Sequence, residues 1–210
     1  IPMNLQRVKI DPKKLKPYKP KINKRNINFK NIISKIENLL KKSKKPVVIL
    51  GGGIKYGKAE LNLVNFLKIY KIPIVTTWSG VDLVDYNNEY YIGNIGVYGS
   101  RAANFTVQNS DLILCLGTRL DTRITGGVPK SFARKARKIV VDIDKYELNK
   151  KRGLKIDLKV ESDMKFFFQM YEKHKKEIII RDDWLLRCKN WKSRYPIILK
   201  EFYNIKKYVN

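Results

Sequence analysis

Three consecutive glycines, two arginines and an aspartate stand out in this 210-residue sequence as residues that can bind a phosphorylated ligand. Glycines 51–53 follow the apolar stretch "PVVIL", and a loop of this composition lets backbone N–H groups approach a phosphate. Arg119 and Arg123 lie four residues apart in "GTRLDTRITGG", where two guanidinium groups can neutralise a pyrophosphate. Asp142 ends the stretch "KIVVD", and a carboxylate at a strand end commonly accepts hydrogen bonds from ribose hydroxyls. Together these residue types predict a dinucleotide site.

Each of these features also has a purely structural interpretation. Three glycines can serve only to turn the chain, "RLDTR" can form a ladder of surface ion pairs, and Asp144 can cap the short turn "KYEL" that follows it. The usual dinucleotide fingerprint is absent, because "GGGIKYG" does not fit G-x-G-x-x-G and no acidic residue ends a strand about 20 residues later. The alternatives stay open for each motif taken singly.

The segments that must position these residues alternate between strands and helices. The predicted strands cover 46–50, 72–77, 111–117, 138–144 and 154–160, and the predicted helices cover 31–45, 58–70, 100–110, 131–136, 162–176 and 182–195. This alternation predicts an α/β fold with a mostly parallel sheet and helices on both faces. In such sheets ligands bind beyond the carboxyl ends of the strands. All the candidate motifs follow predicted strands, so the sequence places them at one edge of the sheet.

Two local details accompany this prediction. Ser162 is the expected N-cap of the helix over 162–176. The apolar side of the helix over 58–70 is expected to comprise Leu61, Val64, Leu67 and Ile69.

The charge of the chain is strongly positive, with 45 Lys and Arg against 19 Asp and Glu. Such a balance suggests nucleic-acid binding as one function class. Only 11 of the basic residues are arginine, the better reader of phosphates and bases, and the lysines form no repeated pattern with aromatic residues. The charge therefore indicates a lysine-rich solvated surface, and nucleic acid is not an expected partner.

Membrane spans, metal sites and disulfides are not predicted. No apolar stretch approaches the roughly 20 residues that a transmembrane helix needs. Cys115 and Cys188 do not pair with each other or with His174 at metal-ligand spacing. Both are expected to be reduced, structural thiols of a cytoplasmic protein.

Three parts are expected along the chain. Residues 1–29 are rich in proline and lysine and are predicted to be an extended interdomain linker. Residues 30–180 are predicted to form a dinucleotide-binding-like central domain, and residues 181–210 a helix and linker toward a further domain. The first residue is Ile1, which suggests a chain cut from a longer protein.

The stretch "GNIGVYGSRAANFTVQNSDLILCLGTRLDTRITGGVPKSFARKARKIVVDIDKYEL" makes the sequence recognisable. It resembles the central domain of thiamine diphosphate-dependent enzymes of the acetolactate synthase group, and the resemblance runs in register over residues 1–210. Tyr98 stands where acetolactate synthases have histidine, and "TTWSG" replaces their "T-L-M-G". These departures bear on the identity of the reaction more than on the identity of the cofactor.

The resemblance implies a parent enzyme with three domains of similar fold that assembles as a homodimer or homotetramer. The first domain would carry the glutamate that activates thiamine diphosphate, and the third would bind the diphosphate through Mg²⁺. Neither is expected here, because the chain has no G-D-G…N segment. The parent would be a transferase or lyase that decarboxylates a 2-oxo acid such as pyruvate and adds the product to a carbonyl. The chain alone is expected to be inactive.

For the domain that is present, the resemblance implies the sirtuin-like or deoxyhypusine-synthase-like variant of the NAD/FAD-binding fold. It would hold FAD, or an ADP-like group, largely as a structural element. Glycines 51–53 would lack a Cβ because the ligand passes close to the chain. Motif matching assigns cofactor contact to Gly51, Gly52, Gly53, Thr77, Trp78, Ile95, Tyr98, Gly117, Arg119, Asp121, Arg123, Ile124, Asp142, Ile143 and Asp163. No residue of the chain is assigned to catalysis or to a metal.

Two other functions remain as alternatives. A stand-alone NAD-dependent enzyme of the sirtuin-like type needs a catalytic histidine near the nicotinamide, whereas His174 lies in a lysine-rich helical segment. A basic nucleic-acid-binding module would show a steep salt dependence of its affinity for DNA. The sequence leaves open the 2-oxo acid, the acceptor, and whether the pathway makes branched-chain amino acids or a surface-polysaccharide sugar.

Overall fold

A six-stranded sheet in which all neighbouring strands run parallel lies at the centre of the fold. The computed structural model describes residues 2–18, 28–174, 179–199, 201 and 202. The strands of the sheet are β1 (Pro46–Leu50), β3 (Ile74–Thr76), β4 (Tyr91–Asn94), β5 (Leu112–Leu116), β6 (Arg137–Asp142) and β7 (Leu158–Glu161). A separate parallel pair joins β2 (Tyr70–Lys71) to β8 (Ile179–Ile180).

The order of the strands across the sheet is β4-β3-β1-β5-β6-β7. From β1 the chain moves outward on one side through β3 and β4. It then returns to the other side of β1 and moves outward again through β5, β6 and β7. The loops after β1 and β5 therefore leave the sheet at the point where the strand order reverses, which is where open α/β sheets form a ligand crevice.

Helices cover both faces of the sheet, as the alternation of segments predicts. They are α1 (Met3–Gln6), α2 (Phe29–Lys42), α3 (Gly53–Tyr56), α4 (Glu60–Ile69), α5 (Arg101–Gln108), α6 (Thr122–Thr125), α7 (Lys145–Asn149), α8 (Met164–His174) and α9 (Asp182–Arg194). Short 3₁₀ helices cover Pro12–Lys14, Trp78–Leu83 and Pro129–Ser131. Side chains of β1 alternate between the two layers, because Val48 and Leu50 pack with α2, α4 and α8, whereas Val47 and Ile49 pack with α5 and α9. The predicted α/β fold with a parallel sheet is confirmed.

An aromatic cluster fixes α8 in the first layer. The ring of Phe66 lies 5.2 Å from that of Phe168 and 5.1 Å from that of Tyr171, in the tilted and edge-on arrangements that aromatic pairs prefer. The hydroxyls of Tyr70 and Tyr171 donate to the buried carboxylate of Glu37 over 2.8 and 3.1 Å. Because α8 begins beside the carboxyl ends of the strands, this packing also fixes one border of the crevice.

Helix α9 belongs to the second layer of the core. The indole Nε1 of Trp184 donates to the carbonyl of Pro46 over 3.0 Å, and Leu185 and Cys188 are buried beside it. Residues 182–194 of the predicted C-terminal segment are thus packed against the sheet. The division of the chain into three parts stays a prediction.

The predicted helix over 131–136 is wrong. A single 3₁₀ turn ends at Ser131, and the chain then passes through a turn in which Ala133 has a φ of 43°. The buried ammonium of Lys138 donates to the carbonyls of Ala133 and Ala136, both over 2.9 Å. The N–H of Ala136 also donates to the carbonyl of Ala133 over 3.0 Å, so the segment forms a turn closed by Lys138 instead of a helix.

Three further details differ from the sequence-based expectations. Asp163, not Ser162, caps α8, because its Oδ1 accepts from the N–H of Phe166 over 3.1 Å. Strand β7 begins at Leu158, four residues later than predicted. Strand β4 was not predicted, because its sequence "YIGN" includes a glycine and ends in a polar residue.

The apolar side of α4 is also shifted from the prediction. Leu61 is 85% exposed and Val64 is 49% exposed, whereas Leu63 and Phe66 are buried with Ile69. Helix α4 begins only at Glu60, after the left-handed Lys58 (φ 49°), and this start sets which residues face the sheet. The prediction for Leu61 and Val64 is wrong.

Candidate functional site

The loops that follow the six strands of the sheet enclose a cavity of about 740 Å³. Such a volume lies in the range of about 300–1,000 Å³ that is typical of small-molecule and cofactor sites. Loops from both sides of the reversal in strand order contribute to it, including glycines 52–53 after β1 and Gly117 after β5. The cavity therefore sits where the topology of the sheet predicts a ligand.

The three consecutive glycines after β1 are required by the close approach of neighbouring loops to this part of the chain. A Cβ on Gly51 would lie 2.3 Å from the carbonyl oxygen of Gly117, and one on Gly53 would lie 2.9 Å from the Cα of the same residue. A Cβ on Gly52 would lie 2.9 Å from the side chain of Ser79. Neighbouring loops thus already occupy the space that a Cβ would need, and the expected close approach of a ligand stays a prediction.

The loop after β5 brings two arginines to the cavity. Arg119 and Arg123 both line it, and within the described part of the chain neither guanidinium forms an ion pair. The carboxylate of Asp121 instead accepts from the backbone N–H of Arg123 over 3.0 Å and so caps α6. The alternative of a surface ion-pair ladder in "RLDTR" is therefore not what the loop forms. Both cations are available to an anionic ligand.

Two aspartates follow β6 at the opposite side of the cavity. Asp142 is buried, and its Oδ1 accepts from the N–H of Asp144 over 2.9 Å. Burial raises the pKa of Asp142 above its ordinary value, and the nearby carboxylates of Asp144 and Glu147 raise it further. Asp144 caps α7 by accepting from the N–H of Tyr146 over 2.7 Å, so its capping role is confirmed while it also lines the cavity.

Aromatic rings stand at another border of the cavity. The rings of Trp78 and Tyr98 meet edge to face with their centroids 5.6 Å apart. They are 61% and 74% exposed, although each lines the cavity. Beside them the hydroxyl oxygen of Thr77 is buried and, among the described residues, has no hydrogen-bond partner. This border can accept a planar aromatic group and offers one unsatisfied hydroxyl.

The structure brings together fourteen of the fifteen residues that motif matching assigns to a cofactor. The exception is Gly51, which lies behind the cavity wall against Gly117. Lining residues outside that assignment are Tyr56, Gly57, Ser79, Asn94, Thr118, Asp144 and Met164. Tyr56 and Gly57 belong to "GGGIKYG", so the end of that glycine-rich motif indicates them from the sequence. Met164 could not be found in this way, because its place in the cavity depends on where α8 begins.

The remaining polar candidates of the sequence lie elsewhere. His174 ends α8, whose first residue Met164 lines the cavity, so ten residues of helix separate them by roughly 15 Å. Cys115 and Cys188 are buried free thiols, as expected, and burial raises the pKa of Cys188 to about 12. The described residues contain no cluster of potential metal ligands and no helix long and apolar enough to cross a membrane.

Comparison with known proteins identifies relatives. Residues 33–170 match the family model described as the central domain of thiamine pyrophosphate enzymes. The chain is 34% identical over 171 residues to the acetolactate synthase large subunit of Cyanidium caldarium. The aligned region covers 79% of this chain and 29% of that protein. It is 37% identical over 126 residues to the acetolactate synthase isozyme 2 large subunit of Escherichia coli, covering 60% of this chain and 23% of that protein. The chain thus spans less than a third of the length of these relatives.

Proposed function

Because the chain belongs to the central-domain family of thiamine pyrophosphate enzymes, we propose that its cavity binds FAD, or an ADP-like group, within an acetolactate synthase-like enzyme. The observation that carries this proposal is the cavity at the reversal of strand order, where a buried aspartate meets two arginines that form no ion pair with any described residue. Similarity to acetolactate synthase large subunits supports the enzyme class.

The residues around the cavity fit the parts of such a ligand. Arg119 and Arg123 would hold the diphosphate, for which guanidinium groups are suited by charge and shape. Asp142 would accept hydrogen bonds from a ribose through the carboxylate oxygen that the N–H of Asp144 does not occupy. The aromatic pair Trp78 and Tyr98 would contact the flavin ring. Among the remaining predicted contacts, Ile95, Ile124 and Ile143 would supply apolar lining.

The role of this cofactor is proposed to be largely structural. A bound FAD would contact the loops after all six strands, and binding to the folded state alone stabilises a protein. Free flavin can accept or donate electrons, but the carboligation proposed for the parent needs no net oxidation. The sirtuin-like or deoxyhypusine-synthase-like variant of the nucleotide fold remains the proposed classification.

The parent enzyme is proposed to decarboxylate a 2-oxo acid and to add the resulting carbanion to a carbonyl, with thiamine diphosphate and Mg²⁺ bound by flanking domains. Assembly into a homodimer or homotetramer is part of the same proposal. The 210-residue chain is proposed to be inactive alone, and detection of acetolactate from pyruvate with this chain would contradict that statement.

Calorimetric titration of the chain with FAD, ADP and NAD tests the ligand. We expect FAD and ADP to bind, and each of Arg119→Met and Arg123→Met to weaken ADP roughly tenfold, the scale of one charge-assisted contact. Arg134→Met is the matched control, because Arg134 is exposed in a turn away from the cavity and its loss changes the charge equally. Tighter binding of NAD than of ADP would favour the sirtuin-like alternative. An absence of ADP and FAD binding would refute the proposal.

A further inference from the structure

Arg152 lies behind the cavity wall and reaches the loop that carries Arg119. Its Nη1 donates to the backbone carbonyls of Arg119 and Leu120, the second over 3.4 Å. Its Nη2 donates to the carbonyl of Glu147 over 2.6 Å and to the Oε2 of the same residue over 2.8 Å. One guanidinium thereby ties the loop after β5 to α7, the helix that follows β6.

The loop after β5 needs such a tie. Leu120 has a φ of 51°, in the left-handed region that a branched side chain rarely adopts, yet its side chain is only 1% exposed. Within the described residues, no group other than Arg152 donates to the carbonyls of Arg119 and Leu120. The strained segment that presents Arg119 is therefore held from outside, by a side chain 32 residues further along.

The tie is well suited to hold a fixed geometry. A guanidinium presents five donors in a rigid plane, whereas an ammonium is a point charge on a flexible chain. The side chains of Arg152 and Glu147 are 14% and 19% exposed, so the ion pair is shielded from solvent on most sides. Lys150 also approaches Glu147, but with a side chain that is 60% exposed.

We infer that Arg152 and Glu147 are positioning residues that hold the backbone at Arg119 so that its guanidinium faces the anionic part of a bound nucleotide. The identity of the ligand rests on the proposed function, whereas the tie between the two loops does not. Disturbing the tie should therefore weaken ligands that carry a diphosphate and spare those that lack it.

The ligand measurement compares ADP with adenosine on the 210-residue chain, at a temperature where circular dichroism shows each variant folded. Arg152→Met is expected to weaken ADP roughly tenfold and adenosine much less, because one charge-assisted contact is displaced. Arg152→Lys restores a cation but not the planar fork, and is expected to fall between Arg152→Met and the native chain. The control Arg134→Met is expected to leave both affinities unchanged. A purely structural role would lower the melting temperature of Arg152→Met without changing the ratio of the two affinities, and that outcome would overturn the inference.

A second measurement needs no ligand. Trypsin cleaves after Arg119 only when the Arg119–Leu120 bond becomes accessible, and mass spectrometry identifies that cut among the many others. Arg152→Met and Glu147→Gln are expected to accelerate this cleavage several-fold relative to the native chain and to Arg134→Met. Unchanged cleavage would refute the tie. Accelerated cleavage of the variants, together with a native chain that binds neither ADP nor FAD, would support the role of Arg152 in holding the loop and refute the proposed ligand.

Discussion

At the scale of single residues, the carboxylate of Asp142 combines burial with a place at the cavity wall. It is 9% exposed and accepts from the backbone N–H of Asp144. A carboxyl group whose pKa is raised on folding holds its proton more tightly in the folded state than in the unfolded chain. The free energy of unfolding therefore falls as pH rises from the ordinary pKa through the raised one. Keeping an ionised Asp142 at neutral pH costs stability, which is typical of binding residues.

Replacing Asp142→Asn tests this cost. Asparagine keeps an Oδ1 that can accept from the N–H of Asp144 but carries no charge, so the variant is expected to gain free energy of unfolding at pH 7. The gain should shrink toward acidic pH, where the native carboxyl is protonated too. Urea unfolding at several pH values measures it, and calorimetry should show weaker FAD binding by the same variant. A loss of stability at pH 7 would contradict the argument.

The aromatic pair at the cavity makes a second prediction at this scale. Trp78→Ala and Tyr98→Ala are expected to weaken FAD roughly three- to tenfold, because an aromatic contact contributes about 0.5–1.5 kcal/mol beyond its buried area. ADP, which has no flavin ring, should be affected much less. Quenching of flavin fluorescence and calorimetry report the two affinities. Tyr18→Ala, which removes a ring that is 88% exposed and outside the cavity, is the control. Equal losses for FAD and ADP would contradict contact with the flavin ring.

At the scale of elements, the close approach of the loops after β1 and β5 defines the floor of the cavity. The N–H of Gly51 donates to Leu116, and that of Gly53 donates to Gly117, each over 2.9 Å. Gly117 itself has a φ of 63°, and a Cβ there would lie 2.9 Å from the backbone nitrogen of Ile54. Neither loop can move away without breaking these bonds, so the two sides of the crevice are held in a fixed relation.

Gly51→Ala is expected to destabilise the chain by roughly 2–3 kcal/mol, because the added methyl meets backbone rather than a flexible side chain. The matched control is Gly127→Ala in the loop that follows α6. A Cβ at Gly127 meets nothing within 4 Å, so a change within about 0.5 kcal/mol is expected there. Denaturant unfolding of the two variants measures the difference. Similar stabilities would show that the loops are more adaptable than this packing implies.

Much of the element scale was predictable because buried parallel strands have a simple pattern. The stretches "PVVIL" and "LILCL" are apolar throughout, as strands covered on both faces require, and polar residues after them mark the carboxyl edge. The contribution of β4 was not predictable in this way, because Gly93 and Asn94 interrupt its pattern. The turn around Ala133, whose N–H donates to the side chain of Gln108, and the tie from Arg152 depend on contacts with residues distant in the chain. No local pattern encodes such contacts.

At the scale of the whole molecule, two layers of helices hold the sheet rigidly while its carboxyl edge stays open. The helices α2, α4 and α8 pack on one face, and α5 and α9 pack on the other. Apart from Met164 at the start of α8, the described residues that line the cavity lie in loops, strand ends and short helices outside these layers, so ligand contacts can differ between relatives while the fold is kept. Family membership therefore establishes the scaffold, and the cavity residues of this chain determine the ligand.

Hydrogen–deuterium exchange of the 210-residue chain, with and without saturating FAD, tests the central claim most directly. That claim is that the loops after all six strands of the sheet form one nucleotide site. Binding is predicted to slow exchange in peptides that cover 51–57, 77–79, 94–98, 117–124, 142–144 and 161–164, while α2 and α9 exchange as before. Protection confined to other surfaces, or no protection by FAD in any of these loops, would contradict the account.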